Sequence, residues 1–367
     1  MRRRSFLKLA CAASLSSGWK ATAPALAQST KVTAGYVHAL AVDGQLSLAT
    51  SMGLWKSQNL QMQFIEFRNG IEAFQAMVAG SLDILVTGAV ISHYPAMGRG
   101  KVFLINDIEY ATAQLWVHPN MGIEKVGDLK GKKVTTTTGT TAHVFLQTAL
   151  RSNGVNPGDV LIINQRIQDA VASFISRAVP AIALWVPHNN LIREKAPGAK
   201  MLVDASAYYP VSAVVNGWVA RNGFHAAHRD VLARVVRAWA EANDFMVTQP
   251  DQALALLRER HYPAIPMVEL RDEFNAEKLF LSREWRRMYL DGTGVNWLQQ
   301  VSDFYVSFAS IGKPVPAVHI STRLFSSIRC LPDTSAVKSK FLSFWMQARL
   351  GTSNSKPHQN EKVLVSL

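Results

Sequence analysis

Residues 126 to 141 read VGDLKGKKVTTTTGTT, and the succession of residue types in this run decides the fold class. Asp128, Leu129, Lys130, Gly131, Lys132 and Lys133 make a polar turn, and Val134 to Thr137 form a β-branched strand. Gly139 interrupts the strand, and a helix follows from about Thr141 to Ser152, with Gly154 as its C-terminal glycine. A turn, a strand and an amphipathic helix in immediate succession make one unit of an α/β fold.

The same grammar extends in both directions. Val32 to Val37 reads as a strand, Gln45 to Trp55 as a helix, and Gln61 to Phe67 as a second strand with Met62, Ile65 and Phe67 near alternation. Ile71, Phe74 and Val78 recur at helical spacing after Gly70, Gly80 stops that helix, and Leu82 to Val86 forms a buried strand. A weak repeat links the two halves: Glu72 to Met77, leading into Leu82, is echoed by Asp169 to Phe174, leading into Ala181 to Trp185. Further on, Leu232, Val235, Val236, Trp239 and Phe245 mark a helix, and Pro250 opens another over Asp251 to Glu259. Residues 331 to 367 have little periodicity and are expected to be a partly disordered tail.

The N-terminus carries an export pattern. Arg2, Arg3 and Arg4 precede an apolar stretch from Phe6 to Trp19, and Ala25, Leu26 and Ala27 supply a small-x-small cleavage site before Gln28. The run from Arg3 to Lys8 has the twin-arginine form, and Lys20 suits that route. Acylation at Cys11 is the alternative, disfavoured by Lys8 and Leu9 where small and apolar residues are required. Loss of residues 1 to 27 removes five basic and no acidic residues, leaving 34 against 26, an excess of +8, on a chain long enough for two domains. No Lys/Arg block is interleaved with aromatics, so nucleic-acid binding is not expected. One remaining cysteine, Cys330, cannot form an internal disulfide. The mature protein is expected to be a soluble periplasmic monomer without cofactor or metal.

Taken together these segments resemble the aliphatic-sulfonate, nitrate and taurine-binding proteins of ABC importers, over about residues 31 to 325. The run from Val126 to Val134 followed by Gly139 is the most specific piece. Gly53, Leu54 and Trp55 before Asn59 and Leu60, then Ala79 to Asp83, and Trp185, Val186 and Pro187 support it. The resemblance implies a type II periplasmic-binding-protein fold: two α/β lobes with a ligand cleft between them. Lobe one would hold residues 28 to 116 and 219 to 330, and lobe two residues 117 to 218. It implies a small, anionic ligand delivered to a membrane permease. Arg177 and Pro180 depart from the family's usual Gly and Asp, and Val186 replaces a common acid, which counts against an amine-bearing ligand such as taurine.

Thr138, Gly139, Thr140 and Thr141 are the leading site candidates, because a helix N-terminus after a strand offers free N–H groups and a positive dipole to an anion. Tyr36, His38, Gly88 and Ala89 follow strands, where doubly wound sheets gather ligands. Gln114 and Asn216 lie near the two crossovers, and Trp185 is a candidate wall. The competing class is an enzyme on the same fold, a pyrimidine-precursor synthase or a desulfinase. The cysteine clusters or early cysteine nucleophile those require have no counterpart here, and neither a G-x-S-x-G elbow nor an H-E-x-x-H helix occurs.

Overall fold

The computed structural model describes residues 29 to 309 and 313 to 321, so the expected leader and tail lie outside the described residues. Among the described residues, ten strands form two sheets of five. Strands β1 (Thr30–Val37), β2 (Leu60–Phe67), β3 (Ile84–Thr87) and β4 (Lys101–Ile108) belong to the first sheet; β5 (Ala113–Val117), β6 (Lys133–Thr136), β7 (Leu161–Asn164), β8 (Ala181–Trp185) and β9 (Lys200–Asp204) form the second; and β10 (Val215–Ala220) returns to the first. The orders are β2-β1-β3-β10-β4 and β7-β6-β8-β5-β9. In each sheet the first three positions are parallel and the fourth, the first strand after a crossover, runs antiparallel to both neighbours. The two sheets therefore share one topology. The repeat in the sequence falls on equivalent places in it: helix Gly70–Val78 feeds β3, and helix Ile167–Ile175 feeds β8.

The chain passes between lobes at residues 109 to 112 and 205 to 214. This corrects the expected boundaries at 116 and 218. All of β5 pairs with β8 and β9, and all of β10 pairs with β3 and β4, so residues 113 to 116 lie in lobe two and residues 215 to 218 in lobe one. The error has a physical cause: a buried exchange strand is as apolar as its neighbours, so nothing in its composition marks which sheet it joins.

Lobe one is organised around a polar node inside an apolar core. The pairing of β10 with β4 skips Asn106, which forms a bulge between Ile105 and Asp107. Fully buried, the Asn106 side chain accepts from the indoles of Trp218 (3.3 Å) and Trp239 (2.6 Å) and donates to Ala41 O (3.1 Å) and Gln45 Oε1 (2.9 Å) in helix Leu40–Ser51. Opposite it, Gly217 lies so close to the Leu104 carbonyl that a Cβ would strike the backbone, which only glycine avoids. Trp218, Trp239, Phe74, Phe103 and Phe245, together with helix Arg229–Thr248, complete this core.

A third bridge joins the lobes without a covalent link at that point. Helix Thr293–Ala309 follows the lobe-one helices, yet its Tyr305 hydroxyl donates to Gly139 O of lobe two (2.8 Å). Ala89, Val144, Val214, Val301, Phe304 and Tyr305 form one apolar cluster across the interface. Among the described residues no helix is long and apolar enough to cross a membrane.

Replacing Asn106 with Leu removes the acceptor shared by two buried indoles. We expect urea unfolding to show a loss of about 2 to 4 kcal/mol, with far-UV circular dichroism unchanged; a loss below about 0.5 kcal/mol would show that the node is dispensable.

Candidate functional site

The strand ends of the two sheets face each other across a narrow cleft. Lobe one contributes Val37 and Ala39 at and after the end of β1, Asn69 and Gly70 after β2, and Thr87 and Gly88 at the end of β3. Lobe two contributes Thr140 and Thr141 at the start of helix Thr141–Ser152, and Trp185 and Val186 at the end of β8. Glu109 and Thr112 come from the first crossover. This is the place where α/β sheets bind ligands, since loops at the carboxyl ends of strands leave backbone groups unengaged.

Local chemistry fixes the walls. Asn69 caps helix Gly70–Val78 by accepting from the amides of Ile71 and Glu72, both at 3.0 Å, which holds the β2 loop at the rim. The Thr141 hydroxyl donates to Glu109 Oε1 (2.9 Å) and accepts from the Ala89 amide (3.2 Å), so one side chain of lobe two touches both the crossover and lobe one. Gly88 permits this approach: a Cβ there would lie 2.6 Å from Thr141 Oγ1 and 2.8 Å from Glu109 Oε1.

Among the described residues lining the cleft, Glu109 is the one formally charged residue, and there is no Lys, Arg or His. Its second oxygen accepts from Thr112 Oγ1 (3.1 Å), and its amide donates to Val214 O of the other crossover (2.9 Å). Burial pushes its carboxyl up to about 7, against the pull of the Thr141 and Thr112 hydroxyls. Deeper in lobe one, Asp107 and Glu277 are buried with neither carboxyl oxygen hydrogen-bonded to a described residue. Desolvation first, then repulsion from Glu277 and Glu109 at Asp107 and from Glu273 and Glu109 at Glu277, raise both well above the usual carboxylate range.

The sequence-derived candidates divide. Gly88, Thr140, Thr141 and Trp185 line the cleft, and Ala89 supports Thr141 through its amide. Thr138 and Gly139 do not line it. The Thr138 amide donates to Asn164 Oδ1 (2.9 Å) and the Gly139 amide to His143 Nδ1 (3.2 Å), so the loop satisfies itself. That acceptor role needs a neutral ring, which burial provides by pushing His143 down to about 4. The amides left for a ligand are those at the first positions of helix Thr141–Ser152, which a helix cannot engage itself.

The remaining candidates also lie outside this cleft, each occupied by a partner. Tyr36 donates to Glu66 on β2 (3.3 Å). His38 bonds Asp43 (2.7 Å) and stacks on Tyr262, whose hydroxyl also donates to Asp43; the Asp43 bond raises the His38 pKa against burial. Gln114 bonds Ala111 O and the Trp116 indole, and Asn216 donates to Ala41 O (2.7 Å). Sequence reading passed over Glu109, Thr112 and Asn69. Glu109 follows an unremarkable apolar run, and its burial arises only when both crossovers meet.

Two α/β lobes of one topology, double crossovers and a cleft between strand ends define the periplasmic-binding-protein fold. The chain belongs to the NMT1/THI5-like family, whose family model matches residues 44–253. A binding protein of Brucella abortus (strain 2308) is 28% identical over 315 residues, 86% of this chain and 96% of that protein. An aliphatic sulfonates-binding protein of Escherichia coli (strain K12) is 27% identical over 199 residues, 54% of this chain and 61% of that protein. The alkanesulfonate-binding protein from Xanthomonas axonopodis pv. citri, solved bound to MOPS, superposes with a TM-score of 0.66 at 17% identity, covering 81% of this chain and 99% of that one. The desulfurization enzyme DSZB shares the fold with a TM-score of 0.57 at 14% identity, over 86% and 99% of the two chains.

Glu109 makes stability depend on pH in a defined direction. With its pKa raised from 4.5 to about 7, the folded protein keeps a proton that the unfolded chain has lost, so its contribution falls as pH rises through that window. Relative to Glu109→Gln, wild type should lose on the order of 3 kcal/mol between pH 4.5 and pH 7.5 in urea titrations. Parallel curves for the two proteins would place the carboxyl in water.

Proposed function

We propose that this chain is the solute-binding component of an ABC importer: exported to the periplasm through the twin-arginine route, it captures a small organic molecule between its lobes and presents it to a membrane permease. The observation that carries the reading is the cleft itself. Residues of lobe one, of lobe two and of the first crossover converge on one space, so a molecule held there touches all three and favours the closed arrangement. The relatives named for sulfonates supply the ligand class, and the start of helix Thr141–Ser152 offers backbone amides and a positive dipole end to a sulfonate head. Trp185 supplies an apolar wall for the carbon skeleton.

The enzyme reading has the support of one shared fold, that of DSZB. Against it, the sequence carries no cysteine between Cys11 and Cys330, where a nucleophile early in the mature chain would have to stand.

A thermal-shift screen of alkanesulfonates followed by mass spectrometry of the released molecule separates the readings. A true ligand at 100 times its Kd adds about 2.7 kcal/mol of stability and is recovered unchanged after denaturation. Recovery of a desulfonated or otherwise altered product would establish an enzyme instead.

A further inference from the structure

The end of lobe one opposite the cleft gathers cations. Strands β3 and β4 both run antiparallel to β10, so Lys101 at the start of β4 lies at the amino ends of the parallel strands, away from the strand ends that line the cleft. Residues 313 to 321 close against this end. The Val315 amide donates to Ala96 O (2.7 Å), Lys101 Nζ donates to His319 O (2.6 Å), and Ser321 pairs with Val102. These contacts bring the segment that holds Lys313 and His319 against the loop that holds Arg99 and Lys101. Arg99, Lys313 and His319 are exposed, and neither Arg99, Lys101 nor Lys313 is in an ion pair among the described residues. The same two segments expose Met97 (41%) and Val318 (55%). The positive field extends to helix Asn222–Ala227, where burial first, and then Arg229 and Lys101, lower the His225 pKa below its usual value.

The sequence that continues from this patch has the same character. Residues 322 to 367 hold seven basic residues against two acidic ones, and so carry +5 of the +8 excess. No acid stands between Asp333 and Glu361, and that interval holds Phe341, Leu342, Phe344, Trp345 and Met346 flanked by Lys338, Lys340 and Arg349. Lys and Arg are drawn to an anionic lipid surface, and Trp, Phe and Leu to the boundary between headgroups and acyl chains.

We infer that this end of lobe one, with the segment that follows it, is a docking surface for an anionic phospholipid bilayer. Cations without acidic partners meet the lipid phosphates, and Met97, Val318 and the aromatic run meet the apolar boundary. A soluble acidic partner offers the charge without that boundary. Because the surface lies at the amino ends of the parallel strands, a protein held there keeps its cleft open to solvent, and docking does not compete with capture of a ligand.

Co-sedimentation of the mature chain, residues 28 to 367, with vesicles tests this, using phosphatidylcholine alone and phosphatidylcholine with phosphatidylglycerol. We expect partition onto the anionic vesicles to be at least about tenfold stronger, and to be lost at high salt. Two double variants separate the parts: Arg99→Gln with Lys313→Gln, and Phe344→Ser with Trp345→Ser. Each should weaken partition by at least about fivefold while the thermal unfolding midpoint stays at the wild-type value. Equal partition onto the two kinds of vesicle, or undiminished binding by either double variant, overturns the inference. Displacement of the wild-type protein by soluble glycerol phosphate would reduce the surface to a phosphate site and overturn it as well.

Discussion

One hydroxyl holds the cleft together. Thr141 Oγ1 accepts from the Ala89 amide of lobe one and donates to Glu109 at the first crossover, and it does so from the first turn of a lobe-two helix. Everything around it is shaped to allow that reach. Gly88 has no Cβ to obstruct it, Thr112 holds the far oxygen of Glu109, and the Glu109 amide ties the first crossover to the second at Val214. A binding protein must change its lobe arrangement with ligand, and a contact of one or two hydrogen bonds is of the right size. Each contributes about 1 kcal/mol net, enough to bias the closed arrangement and little enough for ligand contacts to compete with.

Helix Thr293–Ala309 adds a second restraint of different character. Tyr305 and Phe304 reach the Gly139 loop and His143, so part of the apolar surface that lobe two buries comes from the C-terminal part of lobe one. His143 remains neutral there because burial disfavours its charged form, and its free nitrogen lone pair fixes the Gly139 amide. The threonine-rich turn is thus split in function. Thr138 and Gly139 direct their amides to Asn164 and His143, whereas Thr140 and Thr141 face the cleft.

What the sequence revealed follows the range of the interactions. Helix Thr141–Ser152 and strand β8 match the expected bounds because turn residues and periodicity are local signals. The internal echo, weak by itself, proves to mark equivalent third strands of two sheets with one order. The crossovers were misplaced by about four residues because exchange strands carry no mark of their destination. Site residues fared according to the same logic. Gly88, Thr140, Thr141 and Trp185 could be found from strand ends. His38, Gln114 and Asn216 also stand at strand ends or near crossovers but are turned to internal partners, a matter of side-chain direction. Glu109 was illegible because a glutamate before Tyr110 and Ala111 reads as a solvated loop until the two crossovers bury it.

The direct test of the central contact is hydrogen exchange at the Ala89 amide in wild type and in Thr141→Val, which keeps the side-chain shape but removes the acceptor. The account predicts that protection of this amide falls by about tenfold or more while the amides of strand β3 keep theirs. Unchanged protection at Ala89 would mean that the lobes do not meet through Thr141.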